Sequence, residues 1–187
     1  MIKIPVEISA RHIHLSQKDL GKLFGAGFKL TKIRDLSQLG EFAAKETVKL
    51  ITPAAGFNKL RIVGPVRKKT QVEITATDCR ALGITAPVMV SGKVQKASAV
   101  IIKGPKGQLA AEAIIAQRHL HLSLQEAKVA GLKNGQKVSV KIFGKRSLTF
   151  HEVAVRAGQQ YRLSCHLDTD EANAAGLTTC GYGELIK

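Results

Sequence analysis

At 187 residues, with 29 Lys and Arg against 14 Asp and Glu and a formal charge of +15, the chain can bury the core of one domain or two small ones, and its charge favours anionic partners. With no Trp, two Tyr, six Phe and no aromatic-interleaved basic motif, it lacks what stacks on bases, so no nucleic-acid partner is expected and the charge is assigned to a phosphate-bearing small molecule. Three cysteines without metal-site spacing, no apolar run of about 18 residues and no signal peptide exclude a disulfide framework and a membrane span, so a cytoplasmic protein is expected.

The first element is the apolar run Ile4-Pro5-Val6-Glu7-Ile8, a strand that exits into Arg11-His12-Ile13-His14-Leu15-Ser16. On a strand, residues two apart share a face, so His12 and His14 stand side by side as a two-ligand metal claw. Ser16 with Asp19 reads as a capping box for a helix stopped at Gly25. A Lys-rich connector over 29–38 with room for a short hairpin precedes strands at 46–52, 60–63 and 70–74. Thr77 then reads as the cap of a short helix through Leu82. Strands are expected at 87–90 and 97–103, with Gly104-Pro105-Lys106-Gly107 as a turn.

The hexapeptide then returns as Arg118-His119-Leu120-His121-Leu122-Ser123, with only Ile exchanged for Leu, after the apolar Ile114-Ile115-Ala116. Ser123 and Glu126 form a second capping box, and Gly131 is the stop. Asn134-Gly135 is a hairpin-type dipeptide, strands follow at 137–142, 148–150 and 153–155, and 161–167 is the last long strand, running into a small-residue helix stopped by Gly176.

Aligning the halves places Glu73 and His166 at the same position, each just before its half's last helix. Each repeat thus offers two histidines and one more ligand-type residue, and three protein ligands with a vacant position is the arrangement of a catalytic zinc. Two metals are expected, zinc first, with Co, Ni or Fe also suited to imidazole and carboxylate. Arg67, close to Glu73 in a basic stretch with Lys68 and Lys69, is the candidate oxyanion clamp, because a guanidinium holds phosphate by two parallel bonds. Cys165 faces the other side of the strand from His166 and is assigned to the core. No Gly-x-Ser-x-Gly elbow or P-loop appears, which argues against covalent serine chemistry and nucleotide hydrolysis. Many short strands between Gly/Pro turns, with brief helices, give a mainly β fold class: two small β-barrel domains from an internal repeat, each capped by short α-helices.

The stretches Ser9 to Ser16, Phe42 to Val48, Gly64 to Ile74, Arg118 to Ser123 and His166 to Gly176 resemble the PduL-type phosphate acyltransferases over essentially the whole chain. The resemblance implies transfer of an acyl group between coenzyme A and inorganic phosphate at a two-zinc site, with acetyl or propanoyl the expected group; from the chemistry such a site offers, phosphate is expected to attack the carbonyl directly. It implies that residues 1–10 and 117–187 form one barrel and 11–116 the other, with the active site between them, and that the protein is a homodimer. It assigns His12, His14 and Glu73 to one zinc, His119, His121 and His166 to the second, and Arg67 to phosphate. Beyond those matched positions, basic side chains such as Arg61 are candidates to meet the nucleotide phosphates of coenzyme A, and Asn173, on the helix just after His166, is a candidate to line the same cleft. Relatives that enter bacterial microcompartments carry an amphipathic extension before the first strand; here that strand starts almost at Met1, so none is expected. Two rival readings are a dinuclear metallohydrolase and a basic barrel that binds nucleic acid around structural metals.

Overall fold

The computed structural model describes residues 2–92 and 98–186. Strand β1 (Lys3–Ser9) steps into β2 (His12–His14) and helix α1 (Gln17–Phe24), followed by β3 (Lys32–Asp35), β4 (Phe42–Ile51), β5 (Gly56–Gly64) and β6 (Gln71–Ile74). Helix α2 (Ala76–Leu82) leads to β7 (Val88–Met89), β8 (Ser98–Lys103) and β9 (Gln108–Ala116). The second half runs β10 (His119–Leu122), α3 (Leu124–Ala130), β11 (Lys137–Ile142), β12 (Leu148–Ala157), β13 (Ser164–Asp168), α4 (Thr169–Ala174) and β14 (Gly181–Ile186). Ala97, the expected start of the 97–103 strand, lies outside the described residues.

The chain is mainly β, and its strands close into two six-stranded barrels. Barrel 1 is the ring β1-β13-β10-β12-β11-β14. Barrel 2 is the ring β9-β6-β2-β5-β4-β8, closed because β8 pairs with both β4 and β9, with β3 added on β4 and β7 on β9. Read in that order, the two rings have the same succession of parallel and antiparallel neighbours: β1 and β13 are parallel as β9 and β6 are, and β10 and β12 as β2 and β5 are. The other pairs are antiparallel in both.

This correspondence exposes a swap. Strand β1 precedes the first histidine motif but sits in barrel 1, which carries the second; β9 precedes the second motif but sits in barrel 2, which carries the first. Local periodicity reads each apolar run and its histidines as one strand; in the structure they are separate strands, and the chain passes from one ring to the other at Ala10-Arg11 and at Gln117-Arg118. Contacts group the chain into two units, Met1–Ala10 with Ser37–Leu39 and Gln117–Lys187, and Arg11–Leu36 with Gly40–Ala116. The short Ser37–Leu39 piece joins the first unit through Gln38, whose amide donates to the Arg162 carbonyl at 3.1 Å and accepts from the Arg162 N–H at 3.1 Å.

Each barrel has its own core, as the alternation of its strands requires. In barrel 1, Ile4, Val6, Leu120, Val140, Ile142 and Cys165 are fully buried; in barrel 2, Ile13, Leu15, Leu60, Ile62, Val72 and Ile102 are. Because Ile13 and Leu120 point inward, the histidines on either side of each face away from the core.

Several local expectations shift. The cap of α2 is Thr75, not Thr77, in a reciprocal capping box with Asp78; β6 ends at Ile74 and the N-cap follows at once, with no intervening residues. Ser16 caps α1 by accepting from the Asp19 N–H, but its own N–H goes to the Thr70 hydroxyl, so that box is only half closed. Asn134-Gly135 joins α3 to β11 and is not a hairpin turn. The stretches 148–150 and 153–155 are one strand, β12, in which Glu152 takes a positive φ of 59°. Strand β14 lies beyond the last element expected from the sequence; a Cβ at Gly183 would lie 2.9 Å from the Lys141 carbonyl oxygen, so the close approach of β11 excludes a side chain there. No helix among the described residues is long and apolar enough to cross a membrane.

Candidate metal centres

The register places the ligand-type residues. In barrel 2, His12 lies opposite Glu73 across the antiparallel pair of β2 and β6; in barrel 1, His119 lies opposite His166 across β10 and β13. Glu73 and His166 are thus equivalent in three dimensions, as the internal alignment expects. In each triad one ligand atom per residue comes within 4.8 Å of the other two.

In the first triad the His12 and His14 Nε2 atoms are 3.2 Å apart, and the Glu73 carboxylate oxygens lie 3.7 Å from His12 Nε2 and 3.8 Å from His14 Nε2. Ligands 2.0–2.1 Å from a tetrahedral zinc are separated by about 3.3–3.4 Å, so these spacings match such a shell with little adjustment. His14 Nδ1 is 3.2 Å from the Val63 carbonyl oxygen, which can only accept. The proton therefore sits on Nδ1, and the Nε2 lone pair faces its partners. Burial holds the His14 pKa well below the usual 6.5, assisted by the charges of His12 and Arg67, so the imidazole is neutral as a ligand must be. Burial alone would raise the Glu73 carboxyl; His12, His14, the Ser91 hydroxyl and Arg67 outweigh it and bring the pKa down to about 2.

The second triad is three imidazoles, with ring centroids 4.6 Å (His119 to His121), 4.9 Å (His121 to His166) and 5.1 Å (His119 to His166) apart. His119 Nδ1 is 2.8 Å from the Gln117 carbonyl oxygen, which fixes its tautomer as Val63 fixes that of His14. Tyr161 stacks on His121 at 4.2 Å between centroids, and its hydroxyl accepts from Arg156 at 3.0 Å. Glu7, paired with His166 in register, places a carboxylate oxygen 3.8 Å from His166 Nε2 and accepts from Ser37 at 2.6 Å. Two and three imidazoles converging with at most one carboxylate are a donor set for zinc and its neighbours in the transition series.

The wider neighbourhoods contain residues that sequence reasoning missed. Arg67 donates from Nη2 to Glu41 at 2.9 Å and from Nη1 to the Ser91 hydroxyl at 3.1 Å, while Ser91 donates to Glu73. Only the Lys68 and Lys69 neighbours, not this network, were visible around Arg67. The arginines of the repeated motif are also structural: Arg11 donates to Asp78 Oδ1 from Nε at 2.9 Å and Nη2 at 2.6 Å, and Arg118 donates to Glu171 at 2.7 Å. Asp78 and Glu171 are the third helical residues of α2 and α4, so each arginine ties a histidine strand to the helix that follows the third ligand. The exact repetition of Arg was the available signal. Arg61 lies opposite His12 in register and is exposed, with Nη1 donating to the Ala44 and Lys45 carbonyls at 2.8 and 2.9 Å. Asn173 is exposed on α4.

Against known proteins, the phosphate propanoyltransferase family model matches residues 5–178, a stretch that includes both triads. The chain belongs to the phosphate propanoyltransferase family. It is 45% identical to the phosphate propanoyltransferase of Lachnoclostridium phytofermentans, over 95% of this chain and 84% of that one. It is 44% identical to that of Thermotoga maritima, over 98% and 87%, and 43% identical to that of Priestia megaterium, over 97% and 85%. Other members of the family lie at similar distances, including one from Listeria monocytogenes at 40%.

Proposed function

We propose that this chain is an acyltransferase that moves a short acyl group, acetyl or propanoyl, between coenzyme A and inorganic phosphate, with two zinc ions as cofactors. The observation that carries the reading is that both three-ligand clusters, equivalent in register, fall inside the stretch matched to the family. His12, His14 and Glu73 would hold one zinc and His119, His121 and His166 the other. Bound zinc supplies Lewis acidity and a soft acceptor suited to thiolate sulfur.

The chain's own groups do the rest. Arg67, whose Nη1 reaches Ser91 beside Glu73, is placed to take phosphate oxygens on its fork and bring them to the thioester. A phosphate oxygen bonds to the acyl carbon, the guanidinium helps to stabilise the tetrahedral oxyanion, and the carbon–sulfur bond breaks to give acyl phosphate and the coenzyme A thiolate. Burial pushes the Cys165 thiol beside His166 up to about 12, which removes it as a nucleophile and supports direct transfer without an acyl-enzyme. Arg61, exposed beside His12, suits the nucleotide phosphates of coenzyme A, and Asn173 is assigned to the same substrate.

The test is thiol release from acetyl-CoA and propanoyl-CoA by zinc-loaded protein, with and without phosphate, alongside a hydroxamate assay for acyl phosphate. Release that requires phosphate, matches the acyl phosphate formed and drops at least about 100-fold in His12→Ala and His119→Ala is the expected result. Thiol release that ignores phosphate would make the protein a hydrolase instead.

A further inference from the structure

Arg67 meets two different kinds of partner. On Nη1 is Ser91, whose hydroxyl proton is committed to Glu73, so its oxygen is fixed as an acceptor in the buried wall of the first triad. On Nη2 is the Glu41 carboxylate at 2.9 Å, and among the described residues Arg67 is the one side chain that Glu41 engages. Both side chains of this pair remain about one-third exposed, 34% for Arg67 and 30% for Glu41. A guanidinium grips phosphate best by two parallel bonds from adjacent N–H groups, and the internal carboxylate already holds one of its terminal nitrogens with the same charge-assisted chemistry.

We propose that Glu41 is a built-in competitor for the phosphate site: its carboxylate occupies the Arg67 nitrogen that phosphate needs, and its displacement sets the affinity for phosphate. The inference rests on the acyl-transfer reading above and adds a residue that tunes one substrate of that reaction. The geometry suits exchange. Glu41 stands at the entry to β4 with its backbone carbonyl tied to the Leu36 N–H at 2.9 Å, so the side chain can swing into water while the backbone stays in place. Because the pair is partly hydrated, breaking it strands no buried charge and the competition is mild. Between turnovers, the carboxylate keeps the guanidinium oriented and neutralised beside the first triad.

The test compares Glu41→Gln and Glu41→Ala with the parent protein. The expected result is a KM for phosphate lowered by about two- to fivefold, what an ion pair of this exposure is worth, with the KM for acyl-CoA and the zinc content unchanged. An unchanged or raised KM for phosphate in both variants overturns the proposal and makes Glu41 either idle or a group that Arg67 needs. A second readout is independent of turnover: protection of Arg67 from phenylglyoxal by inorganic phosphate in metal-free protein, followed by peptide mapping. Half-protection at two- to fivefold lower phosphate in the variants supports competition, and equal or higher phosphate refutes it. If the parent shows no phosphate-dependent thiol release, the reaction assignment fails by itself, while the protection assay still decides whether Glu41 competes.

Discussion

Every position of the repeated hexapeptide has a distinct physical task. The arginine ties its strand to the helix after the third ligand, the histidines supply nitrogens, the central Ile13 or Leu120 and the following Leu15 or Leu122 enter the core, and the serine caps a helix. The two arginines are not equally important. Asp78 is 3% exposed and Glu171 19%, so Arg11→Ala leaves a buried carboxylate short of donors and should cost about 1–3 kcal/mol, more than Arg118→Ala, as urea denaturation of both variants will show. His14 makes stability depend on pH. Its folded pKa is depressed, so below 6.5 the unfolded chain binds a proton that the folded chain refuses. The stability of metal-free protein is therefore full above pH 6.5 and falls on acidification toward the depressed folded value. His14→Gln should show a smaller loss between pH 7.5 and 5.5 in urea midpoints, and an equal loss in both proteins would contradict this origin.

Strands β1 and β9 show how an element can belong to a fold without belonging to its neighbours in sequence. Either apolar run followed by its histidines reads as one strand, because nothing in local periodicity reports a change of partner. The partner is decided by closure: a ring of six needs β1 between β13 and β14, where open edges would otherwise leave backbone groups unpaired. Val6 is fully buried in barrel 1 whereas Pro5 is half-buried on the opposite face. Val6→Asp should thus cost at least about 3 kcal/mol, while Pro5→Ser stays within roughly 1 kcal/mol, measured by chemical denaturation. Comparable losses for both substitutions would mean that β1 is not a core strand.

For the whole molecule, the charge of +15 and the proposed anionic substrates belong together. Electrostatic attraction of this kind is screened by salt, so the KM for acyl-CoA should rise several-fold as ionic strength goes from about 0.05 to 0.5 M, with little change in kcat; a flat profile would assign the charge to the general surface. The sequence by itself determined the β character of the chain, the internal repeat, the six ligand-type residues and the equivalence of Glu73 with His166. These are legible because alternation, capping boxes and an i, i+2 histidine pair are local patterns that a duplication repeats. Tertiary structure alone decided which strands pair to close each ring, that β14 completes barrel 1, and that Arg67 is shared between Glu41 and Ser91. Those facts rest on contacts between residues far apart in the chain, such as Arg67 with Glu41 or Arg11 with Asp78, where ring closure and charge pairing choose the partner and local periodicity carries no trace of the choice.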